Sequence, residues 1–142
     1  FMLFLSFLST SIAVLVGIFV WGLTIHINLL TVVLIIANSF LFSGVGMIIG
    51  RFVKEEETAD MAGGAISFPM MFLAGTFFPL EQMPQFLQTV ARFLPLYYVN
   101  EGLRNSMIYL NYDKAIYNTI FVLIFASVFF IIGLLLTKWD ED

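Results

Sequence analysis

Charged positions in this chain fall in clusters and leave long stretches without any. Phe1 to Gly50 contains no Asp, Glu, Lys or Arg, and the next ten residues, Arg51 to Asp60, carry six of them. Met61 to Leu80 is free of charge again. Six scattered charges follow from Glu81 to Lys114. Ala115 to Thr137 has none, and Lys138 to Asp142 has four. A helix needs about 20 apolar residues to cross the hydrocarbon core of a bilayer, so the first fifty residues read as two spans joined by a turn. The pattern predicts four spans, at about 1–25, 29–50, 59–78 and 115–137. His26 to Asn28 is the first turn, and Arg51 to Asp60 is a short polar loop with Thr58 as a weak cap for the helix that follows.

The third run contains Gly63, Gly64, Pro69 and Gly75. A kinked or broken helix is expected there, because proline removes a backbone donor and clashes with the preceding turn. Pro79 is expected to end it. The region 79–114 is neither a span nor an ordinary loop. Pro84 suits the first turn of a helix. From Gln85 to Leu94 the apolar side chains recur at helical spacing, with Gln85, Gln88, Thr89 and Arg92 on the other side. Pro95 is expected to stop this helix, and a second runs from about Tyr97 to Tyr109. Both are too short to cross, so they are expected at the interface or dipping into the outer leaflet. Tyr97, Tyr98, Tyr109 and Tyr112 suit an aromatic belt, as does Trp21 near the end of the first run. Lys138–Asp142 is a polar tail.

Composition supports the bilayer as solvent. The chain of 142 residues is 61% hydrophobic and 11% charged, with mean hydropathy +0.99. Soluble domains are about 25% charged, and too few polar residues are present here to cover an apolar interior in water. The net charge of −4 comes from Glu55–Glu57 and the acidic end and argues against a nucleic-acid partner. Zero cysteines exclude disulfides and thiol chemistry. The chain opens inside an apolar run with no initiator Met, basic region or cleavage site, which is not a signal-peptide pattern. We expect a piece of a longer chain with its N-terminal part missing.

The inventory of reactive residues is short. A single histidine rules out a multi-histidine metal site, and no cofactor is expected. No G-x-x-x-x-G-K-[ST] occurs, so this stretch has no P-loop for ATP. No carboxylate lies deep inside a predicted span, Asp60 standing at the very start of the third, which weighs against the proton-coupled transport that such residues serve. Asn38 is the most central polar side chain, suited to a polar substrate or to an interhelical hydrogen bond. Gly46 and Gly50 form a G-x-x-x-G pair with Ser39 and Ser43 one and two turns before it, a pattern for close helix packing. Asn38, Ser43, Gly46 and Gly50 are therefore candidates for a translocation path or for packing. His26 reads as an interfacial residue, and Glu55–Glu57 as a solvated loop or a contact for a cytoplasmic partner. Glu81, Glu101 and Arg104 sit among Phe, Leu, Pro and Tyr, where charges pair or snorkel. Glu101 and Arg104 are three apart, so one helical face can hold both. Positive charge does not decide the orientation: Arg51, Lys54 and Lys138 on one side are matched by Arg92, Arg104 and Lys114 on the other.

The stretch from Phe72 to Arg104 reads FLAGTFFPLEQMPQFLQTVARFLPLYYVNEGLR. It resembles the signature of type 2 ATP-binding-cassette (ABC) exporter permeases: F-L-S-G-x-F-F-P-x-E-x-M-P-x-W-L-Q, an amphipathic stretch, L-P-L-x-Y, and a group ending in L-R. Gly75, Phe78, Pro79, Glu81, Met83, Pro84, Leu87, Gln88, Pro95, Leu96, Tyr98, Leu103 and Arg104 match, together with the order of the spans. Phe86 stands where Trp is common, Asn100 and Glu101 where many members have Val-Asp, and Tyr97 where Thr or Ser is usual. The daunorubicin-resistance type of drug or lipid exporter is the most similar branch.

The resemblance implies an all-α membrane protein: the C-terminal two-thirds of a six-helix permease domain, with four spans and two short re-entrant helices over 79–114. Gly75, Pro79, Glu81, Pro84, Pro95, Glu101 and Arg104 would be the signature residues of the re-entrant region. It also implies a dimer with a second permease copy, a separate cytoplasmic ATPase partner, and surrounding membrane lipid in a prokaryotic cell membrane. The loop 51–60 and the C-terminus would be cytoplasmic. The chain itself would be a transport subunit and not an enzyme. The rivals are an ion-coupled secondary transporter, needing charged or broken-helix sites near the midplane, and a membrane-embedded enzyme, needing a nucleophile, metal or acid–base pair at depth.

Overall fold

The computed structural model describes residues 1–137; the predicted tail at Lys138–Asp142 lies outside the described residues. The described chain is built of six α-helices: α1 (Met2–Trp21), α2 (Leu29–Phe52), α3 (Glu56–Leu73), α4 (Gln85–Ala91), α5 (Pro95–Met107) and α6 (Tyr112–Leu136). A short 3-10 turn at Leu80–Gln82 lies between α3 and α4. Among the described residues there is no strand.

α2 and α6 are long and apolar enough to cross a membrane. Their 24 and 25 residues correspond to about 36 and 38 Å of helix. α1 carries a shorter apolar stretch, Phe7–Trp21. α3 has 18 residues and starts with Glu56, Glu57 and Asp60.

α2 and α6 form the largest contact and run parallel, and small or polar side chains dominate their buried faces. α2 buries Thr31, Leu34, Ala37, Ser39, Leu41 and Gly44, and α6 buries Ala115, Asn118, Thr119, Val122, Ala126 and Gly133. The large side chains Ile36, Ile120, Leu123, Ile124, Val128, Ile131 and Leu135 point outward. Lipid tails are as apolar as leucine, so burying leucine gains little there and close backbone packing decides which faces meet. A Cβ on Gly44 would stand 2.6 Å from the Phe129 carbonyl carbon, and one on Gly133 would stand 3.0 Å from the Gly44 carbonyl oxygen. Beside this crossing the rings of Phe40 and Phe130 meet edge to face at 5.1 Å. The hydroxyls of Ser39 and Thr119 donate to carbonyls four residues back in their own helices, at 3.0 and 2.6 Å. Buried hydroxyls thereby stay satisfied without water.

α5 lies in the cleft between these two helices, antiparallel to α2. A Cβ on Gly102 would press on Leu34 at 3.1 Å and Asn118 at 3.3 Å, so the missing side chain is what lets α5 in. Leu34, Ala37, Val99 and Val122 make the core, with Leu96, Tyr98 and Leu103 packed on it. Tyr98 stacks on Phe121 with centroids 4.7 Å apart and planes 10° apart, and Tyr117, Phe125 and Phe129 extend the same aromatic column along α6. From Asn28, at the start of α2, to Ala37 is nine residues, so α5 reaches about 14 Å along that helix.

Several boundaries differ from the sequence reading. α1 stops at Trp21 rather than near Ile25, because Gly22 takes the left-handed conformation (φ 61°) that caps a helix. α3 begins at Glu56 and ends at Leu73, earlier at both ends than 59–78. Thr58 does not cap it; its hydroxyl meets the Glu55 carboxylate at 3.3 Å. Pro69 sits inside a continuous helix, and the stop is set by Gly75 at φ 78°, four residues before Pro79. Pro95 opens α5 as its first residue and does not merely close α4, since its missing N–H is one of those a helix start leaves unpaired. α6 starts at Tyr112, three residues before the charge-free run, because the Asn111 side chain accepts from the Lys114 N–H.

The packing assigns different roles to neighbouring glycines of α2. Gly44→Ala forces a methyl into backbone atoms of Phe129 and Phe130, and an overpacking cost of about 1–3 kcal/mol is expected. Gly46→Ala meets nothing within 4 Å in this chain, so no loss of stability is expected. Thermal unfolding in detergent, followed by size-exclusion chromatography of both variants, checks this.

Candidate functional site

The signature stretch folds into a junction between the end of α3 and one face of α5. Two residues of α5 four apart, Asn100 and Arg104, both reach the turn at 74–76. The Asn100 amide donates to the Ala74 carbonyl at 3.3 Å and to the Thr76 hydroxyl at 2.9 Å. Arg104 Nη2 donates to the Gly75 carbonyl at 3.3 Å, while its Nη1 pairs with Glu101 Oε1 at 2.8 Å. Of the expected partners of Arg104, Glu101 and a backbone carbonyl are engaged. Glu81 stands on the rim of the same recess, a cavity of about 380 Å³ lined by Gly75, Phe78, Pro79, Glu81, Glu101 and Arg104. The ion pair is about a third exposed, so water screens it and its main effect is geometric. Burial and then the Glu101 carboxylate push the Tyr97 hydroxyl above its ordinary value.

The prolines set the path of the chain around this recess. Pro79 precedes the 3-10 turn, and Pro84 precedes α4, where the Gln88 amide donates back to the Met83 carbonyl at 2.8 Å. Pro95 starts α5. Gly75, Pro79, Glu81, Glu101 and Arg104 therefore come together at one recess, while Pro84 and Pro95 shape the approach to it.

A second polar cluster escaped the sequence reading. Asn28 caps α2 in a reciprocal box with Thr31, accepting from the Thr31 N–H at 3.1 Å. Its amide donates to the Ser106 carbonyl at 2.8 Å, and the Ser106 hydroxyl donates to Asn28 Oδ1 at 2.9 Å. Thr31 and Ser106 hydroxyls lie 2.8 Å apart, and both residues are almost wholly buried. Next to them the His26 N–H donates to the Met107 carbonyl at 3.1 Å. This knot ties the end of α5 to the start of α2, 78 residues away. The available signal was the Asn-x-x-Thr spacing of a cap, which says nothing of a distant partner. Removing one member would leave buried polar atoms unpaired, at about 1–3 kcal/mol.

The remaining candidates lie along α2. The buried Oδ1 of Asn38 makes no hydrogen bond within the described chain. Ser43 is half-buried. Gly46 and Gly50 have open space around them within 4 Å and do not carry the α2–α6 packing, which falls to Gly44 and Gly133. An apolar groove of about 320 Å³, lined by Val33, Ile36, Phe40, Leu123 and Phe130, opens between α2 and α6.

Comparison with known proteins places this arrangement. Residues 1–108 match the model of the ABC-2 type transporter family. This chain belongs to that family. Among curated relatives of this ABC-2 chain, the inner membrane transport permease YadH of Escherichia coli K12 is 26% identical over 138 residues, covering 97% of the chain and 50% of YadH. Nodulation protein J of Rhizobium leguminosarum bv. trifolii is 32% identical over 88 residues, 61% of the chain and 34% of that protein. The "Probable multidrug ABC transporter permease YbhS" of Escherichia coli K12 is 27% identical over 131 residues, 90% of the chain and 34% of YbhS. The chain spans a third to a half of the length of these relatives. No solved structure matches it. In this member of the ABC-2 type transporter family the matched residues 1–108 include the whole recess except Tyr109.

Arg104 and Arg92 separate the two fates of a cation in this ABC-2 family chain. Arg104→Ala strands Glu101 and frees the Gly75 carbonyl, costing about 1–2 kcal/mol after allowance for exposure. Arg92 is exposed, so Arg92→Ala is expected to be near neutral. The double variant Glu101→Ala/Arg104→Ala recovers part of the loss. Urea or heat denaturation of the four proteins in lipid nanodiscs measures this, and equal tolerance of Arg104→Ala and Arg92→Ala would remove the distinction.

Proposed function

We propose that the chain is part of the transmembrane permease of an ATP-driven ABC exporter, carrying a drug, lipid or similar amphipathic substrate outward. α1, α2, α3 and α6 are its four spans, and α4 with α5 forms a re-entrant hairpin in the outer leaflet. The observation that carries this reading is α5. Thirteen residues make about 20 Å of helix, too short to cross, yet α5 is wedged between the two long apolar helices, with Gly102 against Leu34 and Asn118. The loop at Val53–Glu55 and the end of α6 then share the opposite, cytoplasmic side.

Energy comes from a separate ATPase on that side, and a second permease copy completes the path. The charges in α2 and α6 sit at their ends: Arg51 closes α2, and Asp113 and Lys114 open α6. Their middles offer no ionisable group for coupling to an ion gradient, which favours a partner-driven cycle over the ion-coupled rival. Nucleotide binding by the partner biases the permease pair between two arrangements. The name of YbhS, and the apolar lining of the α2–α6 groove, support an amphipathic substrate over an ion.

Two measurements test the proposal in the full-length permease. Cysteines at Glu56 and Gln82, in a background without others, are expected to label from opposite sides of intact cells, with Gln82 outside; external labelling at Glu56 overturns the orientation. The purified permease alone is expected to show no ATP hydrolysis, with activity appearing only when its ATPase partner is added. Robust hydrolysis by the permease alone would remove the partner-driven mechanism.

A further inference from the structure

The recess beside α5 holds two carboxylates against one guanidinium, and these charges are unequally used. Glu81, Glu101 and Arg104 line it. Arg104 is engaged on both Nη nitrogens, with Glu101 Oε1 at 2.8 Å and the Gly75 carbonyl at 3.3 Å. Glu81, exposed on the 3-10 turn, takes no hydrogen bond or ion pair among the described residues. The next cation, Arg92, lies outside the lining and pairs with neither carboxylate among the described residues. The rest of the wall is aromatic. Phe77, Phe78 and Tyr109 line the recess, each more than half exposed. Phe77 stacks on Phe72 with centroids 5.1 Å apart, whereas Phe78 has no ring partner among the described residues.

We propose that this recess binds the ammonium group of an amphipathic compound, held by the Glu81 carboxylate and the free face of the Phe78 ring. A carboxylate attracts the charge, and the negative face of an aromatic ring attracts it again while accepting its alkyl groups. Phe77 and Tyr109 cover the apolar part. The volume of about 380 Å³ falls within the range of small-molecule sites, about 300–1,000 Å³. An anion would meet two carboxylates and a guanidinium already engaged. A divalent metal wants several ligating side chains, and no group of three stands together among the described residues. Two carriers have the required chemistry: a lipid headgroup and a freely diffusing amphipathic amine. The inference deepens the transport reading by naming the charge of the substrate, and it rests on that reading only for the outward placement of the recess.

Equilibrium dialysis of labelled benzyltrimethylammonium against the full-length permease, in uncharged maltoside micelles with protein-free micelles as the blank, tests this. Saturable binding is expected. Neopentylbenzene has the same shape without the charge and is expected not to displace it. Glu81→Gln is expected to weaken binding about fivefold, the effect of one exposed charge contact. Asp60→Asn removes an exposed carboxylate on α3 and is expected to leave binding unchanged. Phe78→Leu keeps the wall apolar but removes the ring, and about a threefold loss is expected. Glu101 is left intact because it holds Arg104. Competition by added phosphatidylethanolamine supports a lipid headgroup as the natural carrier, and its failure to compete supports a free amine; the site stands in both cases. No saturable binding overturns the inference, and is the result if a second copy or the rest of the chain fills the recess. Equal displacement by neopentylbenzene overturns it, as does unchanged affinity in Glu81→Gln. Should Glu81→Gln elute aggregated, unchanged affinity in Phe78→Leu overturns it instead. No nucleotide or ATPase is present, so failure here leaves the transport reading standing, and ATP hydrolysis by the permease alone would remove that reading without touching this site.

Discussion

Everything else in the bundle hangs on the place where α2 and α6 touch backbone to backbone. Gly44 and Gly133 leave no room for a Cβ on either side of the crossing. Dispersion contacts and weak carbonyl contacts at such range replace the hydrophobic drive that lipid cannot supply. The crossing fixes the angle and spacing of the two longest helices. That spacing in turn sets the width of the cleft into which α5 fits through its own glycine, Gly102. A wider crossing would leave Leu34 and Val122 without cover. A tighter one would expel α5.

Apart from Asn38 Oδ1, the buried side-chain polar atoms among the described residues find partners inside the bundle, as they must where no water is at hand. Asn28, Thr31 and Ser106 satisfy one another, and Ser39 and Thr119 fold back on their own helices. Glu101 and Arg104 pair on a more open face of α5, where the surroundings still screen them. The gradient from closed knot to open ion pair follows exposure. A desolvated charge is far more costly than a desolvated hydroxyl.

The sequence made the helices legible where charge and proline marked their limits, and less so where conformation alone decided. The uncharged runs located α1, α2 and α6, and Pro84 and Pro95 located the short pair. The end of α3 was placed at Pro79 because proline is a visible stop, whereas the chain turns earlier at Gly75, whose positive φ no pattern announces. The glycine pair at 46 and 50 matched a packing motif, yet the rotation of α2 presents Gly44 to α6. Spacing along one helix cannot tell which face a partner will take. Glu101 and Arg104 could be paired from their three-residue separation. The bonds of Asn100 and Arg104 to residues 74–76, and of Asn28 to Ser106, join segments far apart in sequence and became visible only with the fold.

The position of α5 between α2 and α6 also constrains how the protein is made. The chain emerges in order, so α4 and α5 leave the ribosome before α6 exists. At that moment α5 can dock on α2 and tie Ser106 to Asn28, but the wall that Tyr98 stacks against is still to come. Until α6 joins, that face of α5 lacks the cover that Phe121 and Val122 give it. A chain cut before α6 would therefore leave Tyr98 and Val99 of α5 uncovered on that side.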